Sequence, residues 1–122
     1  MVIVSCFTTK SIAQTISNNT ACDITVEISC LDLTVPGCWY NIFTTIIVVP
    51  GSIVPYSVPC SGTDVLFHFY FSGGCNTNDP FVAEKGNCLG LPDTDIMYSN
   101  SGCNCPNAAT IQYLGGGNWE VN

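Results

Sequence analysis

The sequence predicts an all-β protein: an antiparallel β-sandwich of about seven or eight short strands, stapled by disulfides. Three observations lead there. Apolar residues recur with a period of two, the repeat of a strand that buries one face. Gly, Pro, Asn and Asp interrupt the chain every ten or so positions, and no window carries a 3.6-residue apolar repeat. Nine cysteines are spread along only 122 residues, the usage of a small domain built in an oxidising compartment.

The elements follow in order. Residues 1–14 read as the back half of a secretory signal. Apolar Val2, Ile3, Val4 and Phe7 precede a polar stretch that ends Ser11-Ile12-Ala13-Gln14. Cleavage after Gln14 puts small residues at −4 and −2, and strict small-x-small spacing favours a cut after Ala13. Either way residues 15–122 form a single domain. Removal takes Cys6 away and leaves an even set: Cys22, Cys30, Cys38, Cys60, Cys75, Cys88, Cys103 and Cys105. It also removes Lys10 and no acid, so the net charge goes from −7 to −8. Two alternatives stand beside cleavage. Ile3-Val4-Ser5-Cys6 resembles a lipobox, which implies a lipid anchor on Cys6. A retained segment would instead extend as a strand and pair with a neighbouring sheet.

Residues 24–30 alternate Ile24, Val26, Ile28 and Cys30 with Thr25, Glu27 and Ser29, giving a buried face and a wet one. Residues 39–49 are dense in Ile, Val, Thr and aromatics and read as a central strand, apolar on both faces. Pro50-Gly51 ends it, because Pro fixes φ and Gly accepts positive φ. Residues 52–58 carry Pro55, which confines them to an edge or a bulge. Residues 64–72 are the clearest strand, with Val65, Phe67, Phe69 and Phe71 on one face and Leu66, His68 and Tyr70 on the other. Residues 80–84, 94–99, 109–114 and 118–121 complete the set, the last two split by Gly115-Gly116-Gly117. The stretch 75–105 is loop-rich and holds four of the cysteines. A bridge such as Cys75–Cys88 would close a short loop and stabilise by about 3 kcal/mol on the chain-entropy model. Spacing leaves the pairing open.

Composition excludes several functions. With no arginine, two lysines and a net charge of −7, the chain has almost nothing to neutralise phosphates, so nucleic acid and anionic lipid are poor partners. Zinc knuckles need paired C-x₂₋₄-C spacing, which is missing, and Cys103-Asn104-Cys105 suits neither zinc nor thiol exchange. No cofactor is expected. Catalysis has a thin inventory, and the chain reads as a non-enzyme. His68 and Asp64 stand about 13 Å apart along one strand, too far for a catalytic pair. The oxygen-rich loops Asn76-Thr77-Asn78-Asp79 and Asp93-Thr94-Asp95 have the chemistry to hold Ca²⁺ but match no EF-hand frame, and Asx residues also serve simply as turn formers; Asp93 and Asp95 as a hydrolytic pair would need a cleft. Trp39, Tyr40, Tyr98, Tyr113 and Trp119 are candidates for a sugar-stacking face, and Asn18-Asn19-Thr20 is a glycosylation sequon on Asn18.

An exported, acidic, cysteine-stapled sandwich with a detachable apolar N-terminal strand resembles the subunits of bacterial surface fibres of the pilus type. The resemblance implies that a strand of one subunit completes the sheet of the next, with Val2, Val4 and Ile12 or, after cleavage, Ile16 as donor positions. Surface charge points the same way. Only 9% of residues are charged, against roughly 25% in ordinary domains, and sheet edges in monomers are commonly guarded by lysine. The expectation is a secreted, extracellular filament subunit that takes copies of itself as partners. A monomeric secreted or lipid-anchored module binding glycan or protein is the alternative.

Overall fold

In a computed structural model, residues 14–58, 60, 64–72, 81–85, 88, 96–99 and 108–122 are described. They form strands β1 (Gln14–Asn18), β2 (Asp23–Leu31), β3 (Tyr40–Val48), β4 (Ile53–Tyr56), β5 (Val65–Ser72), β6 (Phe81–Lys85), β7 (Ile96–Ser99), β8 (Ala108–Gly115) and β9 (Asn118–Val121), with no helix among the described residues. One sheet has the order β4-β1-β9-β8-β7 and the other β3-β2-β5-β6. Every described pairing is antiparallel except β1 with β9. Parallel neighbours need a long connection, and here strands β2 to β8 supply it, since the two partners are about a hundred residues apart in sequence.

The two sheets face each other across one core. On β2, Ile24, Val26 and Ile28 stand opposite Phe71, Phe69 and Phe67 of β5, so the predicted alternation of both strands meets in register. Ile16, Ala109, Ile111, Trp119 and Val121 close the core from the other sheet. The Trp119 ring lies 5.0 Å from Phe67, 5.8 Å from Phe69 and 4.8 Å from Tyr113. Burying side chains of this size is worth about 1.5–3 kcal/mol each, and this aromatic cluster joins the sheets.

β1 is a strand that periodicity alone does not reveal. Only Ile16 and Asn18 of its five residues point inward, and its stability comes from tertiary partners. Thr15 donates both its backbone N–H and its hydroxyl to Asn118 Oδ1, at 3.2 and 2.9 Å. Gln14 belongs to β1 and pairs with Tyr56, so the segment boundary expected after Gln14 falls inside that strand. Ile16, a proposed donor position, fills this chain's own core instead. Val2, Val4, Cys6 and Ile12 lie outside the described residues.

Two expectations are corrected by the topology. Residues 39–49 form not a central strand but the edge strand β3, which among the described strands pairs only with β2. The Cys75–Cys88 pairing gives way to Cys38–Cys88, joined beside Cys30–Cys60. Both bridges sit at the end of the four-stranded sheet where Leu31, Tyr40, Val65 and Lys85 terminate or begin their strands. Cys38–Cys88 thereby ties the chain leading into edge β3 to the chain leaving edge β6. Cys22 is disulfide-bonded too; Cys75, Cys103 and Cys105 lie outside the described residues. Pro55 falls on β4, the edge of the five-stranded sheet, where its missing N–H costs least.

Candidate functional site

The feature that stands apart is the edge built by β3. Its sequence, Tyr-Asn-Ile-Phe-Thr-Thr-Ile-Ile-Val, is rich in β-branched and aromatic residues and contains neither charge nor proline. Val48, Ile46 and Thr44 pair with Ile24, Val26 and Ile28 and so face inward, while Ile47 and Thr45 face outward opposite Thr25 and Glu27. The register then shifts: Ile28 pairs with Thr44, Ser29 with Ile42, and Phe43 has no partner on β2. This is a β-bulge, in which one extra residue turns the strand by one step. Its consequence is that Ile42 and Ile47, five positions apart, both lie on the outer face, where strict alternation would separate them.

The outcome is an apolar ridge. Trp39, Ile42, Phe43, Ile47 and Val49 each show half or more of their surface to solvent. Leu33, Val35 and Ile53 are exposed nearby in sequence, and of the other described large apolar residues only Leu114 is comparably exposed. Residues 33–63 contain no charged side chain at all, so nothing ionic interrupts the ridge. The other edges differ. β4 and β7 are each four residues long and β4 carries Pro55, while β6 carries Glu84 and Lys85. Short length, proline and charge are the usual protections of a sheet edge, and β3 has none of them.

The approach to β3 is held firmly. Asp32 accepts the Thr34 hydroxyl at 2.6 Å, the Thr34 backbone N–H at 2.9 Å and the Asn41 amide at 3.0 Å. The Thr34 bonds, followed by that from Asn41, hold the Asp32 carboxyl below its usual range. The Asp32 backbone N–H donates to Trp39 O at 2.7 Å. Gly37 turns the chain at φ 94°, and Cys38–Cys88 fastens it. Trp39 is therefore presented on an ordered loop.

Comparison with protein-family models, curated proteins and solved structures finds no match. Function therefore has to be read from the residues themselves.

The predicted site residues disperse. Trp39 is exposed beside β3, whereas Trp119 is only 1% exposed in the core. The two cannot share a stacking face. Tyr113 packs on Trp119 and its hydroxyl accepts the Gly117 N–H; Tyr40 lies on β3 and Tyr98 on β7. The asparagine of the sequon is a structural residue in this fold. Asn18 is fully buried, and its Nδ2 donates to Cys22 O at 2.6 Å and Val48 O at 2.8 Å. Its Oδ1 accepts the Thr20 backbone N–H and hydroxyl. A glycan on that nitrogen would break the junction between the sheets.

His68 stands on the outer face of the four-stranded sheet, half-buried. Glu27 lies directly across from it on β2, and the Tyr70 hydroxyl is 3.5 Å from Nδ1. Burial first, then Glu27, raises the Tyr70 pKa above its ordinary value, so the phenol remains a neutral donor. Sequence reasoning considered Asp64 and missed Glu27, because cross-strand register is not local information. Asp93, Asp95 and the 76–79 loop lie outside the described residues. Among the described residues no cluster of three or more His, Cys, Asp or Glu side chains could hold a metal ion, and no helix is long and apolar enough to cross a membrane.

Proposed function

We propose that this chain is a secreted structural subunit of an extracellular filament, acting by assembly with copies of itself and not by catalysis. The observation that carries the reading is β3, a nine-residue apolar edge with no charge or proline on it. An edge of that kind is a template for another strand, and its exposed apolar flank matches the patches through which proteins associate. The disulfides support it as well, since bridged domains are made in oxidising compartments and resist extracellular proteolysis. Negative-stain microscopy of native, untagged protein tests the proposal. Fibres are expected, and isolated particles at every concentration would refute them.

A second reading has one specific observation in its favour. Trp39 projects from a loop fixed by Asp32 and Cys38–Cys88, with Leu33 and Val35 exposed beside it. That arrangement suits a monomeric secreted or lipid-anchored binding module for glycan or protein. Glycan-array binding that disappears on Trp39→Ala, in a variant that unfolds at the native temperature, would support it over assembly.

A further inference from the structure

We infer that β3 pairs antiparallel with β3 of a second copy, about a two-fold axis passing through Thr45, to give one continuous eight-stranded sheet. The inference rests on the filament reading, in that β3 is taken as an assembly edge, and it names the partner strand and its register.

The choice of partner follows from charge. Each copy carries −7, so two copies repel wherever acids face one another. The side of β3 away from β2, where no described strand pairs, offers a place where they can meet without doing so, because residues 33–63 are uncharged. The opposite edge of the same sheet, β6, ends in Glu84 and Lys85. A β3-to-β6 contact would bury those charges against an apolar strand, at a desolvation cost that a β3-to-β3 contact avoids.

The register follows from the bulge. Because Phe43 is skipped, the outer face of β3 presents Ile47, Thr45, Ile42 and Tyr40 in succession, opposite Thr25, Glu27, Ser29 and Leu31 of β2. With the two-fold axis at Thr45, Thr45 faces Thr45 of the second copy, and Ile47 of each copy faces Ile42 of the other. Cross-strand Thr–Thr and β-branched pairs are favourable in antiparallel sheets. Without the bulge Ile42 and Ile47 would lie on opposite faces and no such symmetric pairing would exist. A contact of this type is isologous and closed, so the dimer is the repeating unit and a filament needs a second contact outside the β3 edge. Apolar surface is available for the contact. Five side chains exposed by half or more present on the order of 500 Å² per copy, against roughly 800 Å² per partner in a stable interface, and the ladder backbone adds to what they contribute.

The test compares the native protein with Thr45→Glu and Thr45→Cys by sedimentation velocity over a range of concentrations. Thr45 is exposed, so both variants should keep the native unfolding temperature within a few degrees. The native chain should show a reversible species of twice the monomer mass. Thr45→Glu sets two carboxylates face to face at the axis, each flanked by the Glu27 that lies opposite residue 45 on β2, and should weaken dimerisation on the order of 100-fold. Thr45→Cys should give a reduction-sensitive dimer whose bond maps to residue 45. A dimer indifferent to Thr45→Glu, or a Thr45→Cys protein that never cross-links through residue 45, overturns the two-fold pairing. Fibres that Thr45→Glu abolishes, without any cross-linked dimer from Thr45→Cys, overturn it in favour of a head-to-tail contact and leave the filament reading standing. A native protein that stays monomeric at every concentration sinks both.

Discussion

Truncating Phe67 to alanine strikes the centre of the core. The ring is 1% exposed and is enclosed by Trp119 at 5.0 Å, Tyr56 edge-on at 5.7 Å and Phe69 at 6.4 Å. These neighbours belong to three strands of two sheets, so the walls cannot collapse inward without moving a sheet. Removing a buried phenylalanine costs about 3–5 kcal/mol, and losing three aromatic contacts puts this site in the upper half of that range, about 4–5 kcal/mol. For a chain of this length the unfolding entropy is about 0.25 kcal/mol/K, so the melting temperature should drop by roughly 15–20 °C. His68, next in the chain, points to the outer face, and His68→Gln should shift it by less than about 4 °C. The assay is thermal unfolding followed by circular dichroism, with disulfides intact. A near-native Phe67→Ala beside a severely destabilised His68→Gln would show that the faces of β5 are assigned backwards.

Four further outcomes are expected. Gly117 sits at φ +83°, and a Cβ there would come within 2.5 Å of the Gln14 side chain. Gly117→Ala should therefore cost about 2–4 kcal/mol, and an unchanged melting temperature would contradict the turn. Asn18→Ala takes away the amide donor of the Val48 carbonyl and the acceptor of the Thr20 N–H, while Cys22 O keeps the Thr20 hydroxyl, and should cost about 2–4 kcal/mol by chemical denaturation; protein secreted by a glycosylating host should carry an unmodified Asn18 by peptide mass. Burial above all, with a smaller contribution from Tyr113 and partly offset by the neighbouring Trp119 indole, raises the Tyr56 phenol above its ordinary pKa, so the folded state holds that proton more tightly than the unfolded chain. Its stabilising contribution is complete below about pH 10 and is lost as pH rises above that. Tyr56→Phe, which forfeits the 2.6 Å bond to Gly117 O, should flatten the alkaline slope of stability against pH, and an unchanged slope would remove Tyr56 as its source. Cys38→Ser with Cys88→Ser opens a bridge spanning 50 residues and should cost about 4 kcal/mol on the chain-entropy model; alkylation of the native protein without reductant should leave Cys22, Cys30, Cys38, Cys60 and Cys88 unlabelled.

What the sequence by itself determined is whatever depends on neighbours along the chain. A strand's two faces are set by alternation, so the inward side of β5 and of β2 as far as Ile28 was readable residue by residue. The stops at Pro50-Gly51 and Gly115–Gly117 were readable for the same reason, since the backbone angles a turn requires are a local property, as was the place of Pro55 on an edge. Chain composition likewise announced the disulfides and the shortage of edge-guarding charge. Pairing was not local, and only the tertiary structure decided it. A strand apolar on both faces is consistent with a buried centre or with an exposed edge awaiting a partner, and residues 39–49 look the same in either place. They form the edge because β2 pairs with them on one side and no described strand pairs with them on the other. The bulge at Phe43 appears only as a mismatch between two strands, so no reading of β3 alone could bring Ile42 and Ile47 to one face. β1 is held by Asn118 and Trp119, about a hundred residues away in the chain, and that same closure buried Asn18, turning an apparent modification site into a structural joint. Burial belongs to the assembled fold and not to the segment, because it depends on what the rest of the chain lays over each residue.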